Sequence, residues 1–224
     1  MLIAKFILVA FIGYLLGSIP FGLIVSKHRA KIDIRQYGSG KTGGTNVLRT
    51  LGKKAFLMVA LLDIMKGALA VVFAGIIIGQ DSMWIGNSGL GLLFAQVLAA
   101  LAAIAGHIWP IFLKFKGGRG VATFLGGLIA LFPAAGLFGG EALIIGAGLS
   151  GFASLGSIIG LVCSYAILIP LTILNGFPIE YLAYVSIGSG LIIFMHRDNI
   201  KRLVSGKERR LDQRSEHIGP PQMG

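Results

Sequence analysis

Long apolar runs constrain this chain more than any other feature: residues 2–26, 55–79, 90–106 and most of 121–195 carry almost no charge. A helix needs roughly 20 mostly apolar residues to cross the hydrocarbon of a bilayer. In lipid its backbone groups must be satisfied within the segment, which a helix does by itself. Runs of that length, repeated, commit most of the chain to membrane-spanning helices. With 55% hydrophobic and 13% charged residues and a mean hydropathy of +0.83, nothing in 224 residues is left over for a separate soluble domain. The first run has only Lys5 ahead of it and no small-residue cleavage site, so it reads as a retained helix and not as a signal peptide. The 34 glycines read as close helix packing, because small residues let backbones approach. The single cysteine, Cys163, permits no disulfide within the chain and suggests no thiolate metal site.

Basic residues set the expected topology. Of 20 Lys and Arg, eight lie in residues 27–54, three in 114–119 and seven in 197–214. The positive-inside rule puts these segments in the cytoplasm. Residues 80–89 and 175–180 carry an acid and no base, and read as external. An even number of helices must then fit between Arg119 and Arg197, and four short ones do, at 121–138, 142–156, 157–174 and 178–195. Turns are expected at Gly139-Gly140, at residues 154–157 and at Asn175-Gly176-Phe177-Pro178. The fold class is therefore an all-α polytopic membrane protein of seven helices, with five as the alternative, an external N-terminus and a cytoplasmic C-terminus. Residues 1–206 form the membrane domain, and 207–224 a basic tail expected to be mobile near lipid headgroups. Although the net charge is +11, its distribution over loops between spans argues against nucleic-acid binding.

Three polar segments carry the chemistry. The first holds Gly38-Ser39-Gly40-Lys41-Thr42-Gly43-Gly44-Thr45-Asn46 and Arg49: its glycines admit an anion to the backbone, its hydroxyls and amide offer hydrogen bonds, and its cations offer charge. It lacks the spacing of a Walker loop. In the second, Lys114-Phe115-Lys116-Gly117-Gly118-Arg119-Gly120 leads into a helix, so free N–H groups and the positive helix end are expected to face a phosphate. The third is His196-Arg197-Asp198-Asn199, where His196 and Asn199 share a face if the helix continues. Asp63 and Lys66 fall below the inner surface at pairing distance and read as support for the site, as does His107 at the end of its run. His28 and Asp33 match the His-x4-Asp spacing of the common glycerolipid acyltransferases, but the intervening residues are basic and the match is weak.

Taken together, these segments resemble the bacterial acyl-phosphate:glycerol-3-phosphate acyltransferase family, PlsY. The resemblance runs through Gly17-Ser18-Ile19-Pro20-Phe21-Gly22, the Gly38 to Arg49 segment, Asp63-x2-Lys66-Gly67, Gly106-His107-x2-Pro110 with Phe115 to Thr123, and His196-Arg197-x-Asn199-Ile200. It implies transfer of a fatty acyl group from acyl-phosphate to the sn-1 hydroxyl of glycerol 3-phosphate. The products are lysophosphatidic acid and inorganic phosphate, with no metal or other cofactor. Implied catalytic residues are Ser39, Arg49, Lys116, His196 and Asn199; Lys41, Thr45, Asn46, Gly117, Gly118, Arg119 and Gly120 would bind substrate phosphate. Asp63, Lys66, His107 and Glu208 are expected to be structural. Membrane lipid and the peripheral enzyme that makes acyl-phosphate are the implied partners, and the bacterial inner membrane the location. The chain departs from the family pattern at Lys41, Gly44 and Arg119, and at Gly151, where a basic residue is frequent. A transporter of phosphorylated solutes is the rival reading, disfavoured because few polar residues lie at mid-membrane. A scaffold binding anionic lipid through its basic loops is another.

Overall fold

The computed structural model describes residues 2–85 and 88–218. Among these its regular structure is helical, apart from one small antiparallel hairpin of Met83–Ile85 (β1) with Ser88–Leu90 (β2). Helix α1 (Leu2–Ser18) and α2 (Phe21–Ala30) divide the first apolar run. The break falls at Ile19-Pro20, because proline has no N–H to continue the ladder and disfavours helical backbone in the residue before it. A short helix α3 (Gly44–Leu51) meets α4 (Lys53–Ile78) at Gly52, whose φ of 84° suits only glycine well. There follow α5 (Leu92–Ile108), α6 (Val121–Leu131), α7 (Pro133–Ser150), α8 (Ala153–Asn175) and α9 (Ile179–Val204).

Among the described residues, six stretches are long and apolar enough to cross a membrane: Leu2–Ala30, Lys53–Ile78, Leu92–Leu113, Pro133–Ser150, Ala153–Asn175 and Ile179–Val204. At 1.5 Å per residue α6 rises only roughly 16 Å, about half the hydrocarbon thickness, so it falls short of that length. The surface fits a lipid solvent. Ile7, Leu57, Ile76, Ile144, Leu149 and Ile173 point outward, while Ser18, Asp63, Lys66, Thr123, Ser189 and His196 are buried. In water so continuous an apolar exterior would have to be covered by something else.

Close packing explains the glycines. A Cβ on Gly13 or Gly17 of α1 would land on the carbonyl of Ala99 or Ala103 of α5, and one on Gly67 of α4 would strike the carbonyl of Thr123 in α6. The same effect corrects the expected turns. Gly139-Gly140 is not a turn but the middle of α7, where the missing side chain of Gly139 admits Ser164 and the carbonyl of Gly160 from α8. The chain instead reverses at Phe132-Pro133, with proline in the first turn of α7, where its missing N–H costs nothing. Residues 154–157 likewise lie inside α8; the preceding break is at Gly151, in the left-handed region with φ 77°. Helix α9 continues past residue 195 to Val204, which carries His196 and Asn199 on one buried face.

The main core gathers Ile104 and Ile108 of α5, Phe124 and Leu128 of α6, and Tyr184 and Ile192 of α9. Tyr184 stacks on Phe124 with ring centres 5.3 Å apart and donates its hydroxyl to the Phe124 carbonyl at 2.8 Å. A smaller cluster, with Leu23, Ile34, Val47, Val59 and Leu113, lies beneath the first polar loop.

Residues 207–218 of the tail lie across the loop end of the bundle. The Leu211 N–H donates to the Gly151 carbonyl at 2.8 Å, Ser215 N–H to Arg49 O at 3.1 Å, and Ile218 N–H to Gln36 O at 2.8 Å. Residues 219–224, with Gly219-Pro220-Pro221, fall outside the described residues.

Candidate active site

The first polar loop is organised from within by Asn46. Its side-chain oxygen accepts the Ser39 N–H at 3.1 Å, and its amide nitrogen donates to the carbonyls of Ile34 (3.1 Å), Tyr37 (2.9 Å) and Lys41 (3.0 Å). An amide so fully engaged shapes the loop and has no donor left for a substrate, unlike the phosphate ligand expected at this position. The loop displays Ser39, which is exposed, and Lys41 and Thr45, which are half-buried. Arg49 is not free either: its guanidinium donates to the carbonyls of Arg210 (3.0 Å) and Arg209 (2.6 Å) in the tail. The His28–Asp33 dyad does not form, since the Asp33 carboxylate is taken by Arg35 through its backbone N–H (3.0 Å) and guanidinium (2.6 Å).

The second loop is held by backbone. Gly117 N–H donates to the Ile108 carbonyl at 3.1 Å and Gly118 N–H to the His107 carbonyl at 3.0 Å, which plugs the end of α5. These two N–H groups, expected to face a phosphate, are therefore spent. Available instead are the first N–H groups of α6, which begins at Val121 after Gly120, among the described residues has no side-chain cap, and has no intrahelical acceptor for them. A Cβ at Gly117 would strike His107 O and Pro110, and one at Gly118 would enter the His107 imidazole. His107 in turn sits 3.5 Å from the Asp63 carboxylate, which Lys66 approaches to 2.8 Å; the Lys66 ammonium also donates to the Ile19 carbonyl at 3.0 Å. With Ser18, Thr42 and Pro110 these three line a narrow crevice under both loops. Each buried charge has an opposite partner, as charges at such depth require.

The third segment contributes His196 and Asn199 from α9. The His196 Nδ1 lies 2.8 Å from the Ile192 carbonyl; a carbonyl only accepts, so Nδ1 carries a proton, and in the neutral ring Nε2 is then the bare acceptor. Asn199 donates through Nδ2 to Glu208 at 2.6 Å, which leaves its Oδ1 buried and, among the described residues, without a partner. Glu208 is a hub, also accepting from Ser154 (3.0 Å) and Arg202 (2.8 Å). Burial pushes its carboxyl up, but the bonds from Asn199, Arg202 and Ser154 outweigh this and hold it below the ordinary value.

The three segments meet. Burial lowers the Lys41 ammonium, and the charges of Arg119, Arg197 and Lys116 lower it further, against the opposing pull of Asp198. Burial likewise depresses Arg119 to about 10, with Arg202 and Arg49 adding to the effect and Glu208 and Asp198 opposing it. The Nε of Arg119 is buried and, among the described residues, unpartnered, and His196 lies within its electrostatic reach. Lys116 is exposed at the mouth. The cations Lys41, Lys116, Arg119 and Arg197 outnumber the acids that act on them, Asp198 and Glu208, so the place where the segments meet is positively charged and suited to an anion. Sequence reasoning left out Arg197, Arg202, Ser154 and the tail carbonyls. Arg197 is visible in its motif, but no local pattern announces the other three. The space beside Gly151, where a basic residue is frequent in the resembled family, is covered by Arg210, which also lies 5.6 Å from the Phe152 ring.

The sequence model described as glycerol-3-phosphate acyltransferase matches residues 7–206. The chain is 66% identical over 215 residues to glycerol-3-phosphate acyltransferase 3 of Dehalococcoides mccartyi, covering 96% of this chain and 100% of that one. It is 40% identical to a glycerol-3-phosphate acyltransferase of Clostridioides difficile, over 96% and 99% of the two chains. Among solved structures it is similar to PlsY (YgiH), an integral membrane glycerol 3-phosphate acyltransferase, in its glycerol 3-phosphate form. The TM-score is 0.78 at 35% identity, over 92% of this chain and 94% of that one. The lysophosphatidic acid form of the same protein matches with a TM-score of 0.76 at 34% identity.

Proposed function

This chain belongs to the glycerol-3-phosphate acyltransferase family of integral membrane enzymes, and from that premise we propose that it transfers a fatty acyl group from acyl-phosphate to the sn-1 hydroxyl of glycerol 3-phosphate. The observation that carries this reading is the joint gathering of Lys41, Lys116, Arg119 and Arg197 above His196 and Asn199. Two phosphorylated substrates need cations side by side, and these residues come from two separate loops and helix α9. Acyl-phosphate is a mixed anhydride with a good leaving group, so positioning supplies most of what the reaction needs. The substrate oxygen attacks the acyl carbon, the bond from that carbon to the phosphate oxygen breaks, and the hydroxyl proton passes to a phosphate oxygen. Lysophosphatidic acid and inorganic phosphate result. Arg119 and Lys116 stabilise the charge that grows on the departing phosphate. The Asn199 Oδ1 and the bare His196 Nε2 are acceptors suited to orient the attacking hydroxyl.

Direct transfer is favoured over a Ser39 acyl-enzyme. Among the described residues no base is hydrogen-bonded to the Ser39 hydroxyl, as an activated nucleophile requires. The acyl chain would lie against the apolar exterior in the bilayer. We further propose seven spans, with α6 as the short one, and an N-terminus outside the bacterial inner membrane. The site and C-terminus would then face the cytoplasm, within reach of a peripheral enzyme that makes acyl-phosphate. The test is an assay of the purified protein with acyl-phosphate, acyl-CoA and acyl carrier protein as donors. Only acyl-phosphate should yield lysophosphatidic acid, and turnover with either thioester in its place would refute the proposed donor.

A further inference from the structure

Residues 31–43 form a long loop that contains one short 3-10 turn, Ile34–Gln36, and positive φ at Lys31, Gly38 and Gly40. Such a segment has few packing contacts of its own to hold it, since Ile34 is its only fully buried apolar side chain among the described residues. Asn46 ties it from inside, and the tail ties it from outside. Gly38 N–H donates to the Glu216 carbonyl at 3.0 Å and Ile218 N–H to the Gln36 carbonyl at 2.8 Å, making an antiparallel bridge in which Tyr37 faces His217. Their rings meet edge to face with centres 5.0 Å apart. Ser215 adds a third tie: its N–H donates to the Arg49 carbonyl, and its hydroxyl lies 3.4 Å from the Asn46 oxygen. Gly38 can be nothing larger, because a Cβ there would meet the Ser215 side chain and the Asn46 oxygen.

We infer that residues 211–218 are a positioning element for glycerol 3-phosphate: the tail fixes the backbone that displays Ser39 and Lys41 and so sets the affinity for the phosphorylated acceptor. This rests on the proposed reaction, in which that loop binds substrate. The tail touches no substrate and acts through the loop, whereas the Lys116 loop is held by its own bonds to α5 and does not depend on it. Loss of the tail should therefore separate the two substrates.

The test uses the full chain in detergent, a variant ending at Arg210, and a Ser215→Pro, Ile218→Pro double variant that keeps length and charge but lacks two of the tethering N–H donors. Both variants should raise KM for glycerol 3-phosphate by about tenfold while kcat and KM for acyl-phosphate change by less than about twofold. Hydrogen exchange at the Gly38 and Ser39 amides should quicken, with the Gly117 and Gly118 amides unchanged as a control for folding. Unchanged exchange at Gly38 and Ser39 overturns the inference, as does a faster loop with an unaltered glycerol 3-phosphate KM. If the wild-type protein makes no lysophosphatidic acid, the reaction reading falls, and the exchange result still decides whether the tail holds the loop.

Discussion

The two glycine-rich loops have similar composition and opposite construction. The first is held by side chains and distant backbone, with Asn46 reaching four of its groups and the tail bonding two more. The second is held by the absence of side chains, since Gly117 and Gly118 press against the end of α5 and plug its last carbonyls. A loop fixed by steric exclusion tolerates no added atom but needs no distant support. A loop fixed by tethers accepts added volume at many points and loosens when a tether goes. The difference suits the proposed roles, with a rigid pocket for the leaving phosphate and a more compliant one for the acceptor.

Substitutions can break this contrast, and the largest effect should come at Gly118. Gly118→Ala drives a Cβ into the His107 ring, an overpacking cost of about 3 kcal/mol or more, and turnover should fall at least about 100-fold with a lowered melting temperature. Asn46→Ala removes a side chain making four hydrogen bonds and should cost about 3 kcal/mol in thermal unfolding. Its kinetic signature should differ, raising KM for glycerol 3-phosphate more than KM for acyl-phosphate.

Glu208 sharpens the comparison by linking the tail to α8 and α9. Its carboxyl is held below the ordinary value in the folded protein, so its contribution is present above the unfolded value of 4.5 and is lost as pH falls through the lower folded value. Glu208→Gln should lower stability by about 1–2 kcal/mol at pH 7 and flatten the loss of stability on acidification, which melting curves from pH 7 to pH 3 would read. The smallest effect belongs to Lys5 and Asp81, an exposed pair 2.7 Å apart at the opposite end of the bundle. Lys5→Met should change stability by less than about 1 kcal/mol and leave both KM values unchanged.

How much of this was legible in the sequence follows from where the signals lie. Long apolar runs announce helices because lipid demands them, and basic loops single out candidate site residues because charge is excluded from hydrocarbon. Turn positions within residues 121–195 were misread because Gly139-Gly140 is a turn signal in water and a packing signal between helices; only the position of Ser164 tells them apart. The glycines of the second loop were recognised, but their N–H groups were assigned to a ligand when α5 supplies nearer acceptors. The contacts of Asn46, Arg49 and the tail are not legible in the sequence, for one reason. Their partners lie far away in the chain, as Arg49 and Arg210 do at 161 residues apart, and no local periodicity encodes such a contact.

The central claim is that three distant segments share one membrane face. In a Cys163→Ser background, single cysteines at Lys54, Lys114 and Gln213, all exposed, would be labelled with a membrane-impermeant maleimide in intact cells and in inverted vesicles. The account predicts that all three react only in inverted vesicles; reaction of any one of them in intact cells, with the others protected, would contradict it.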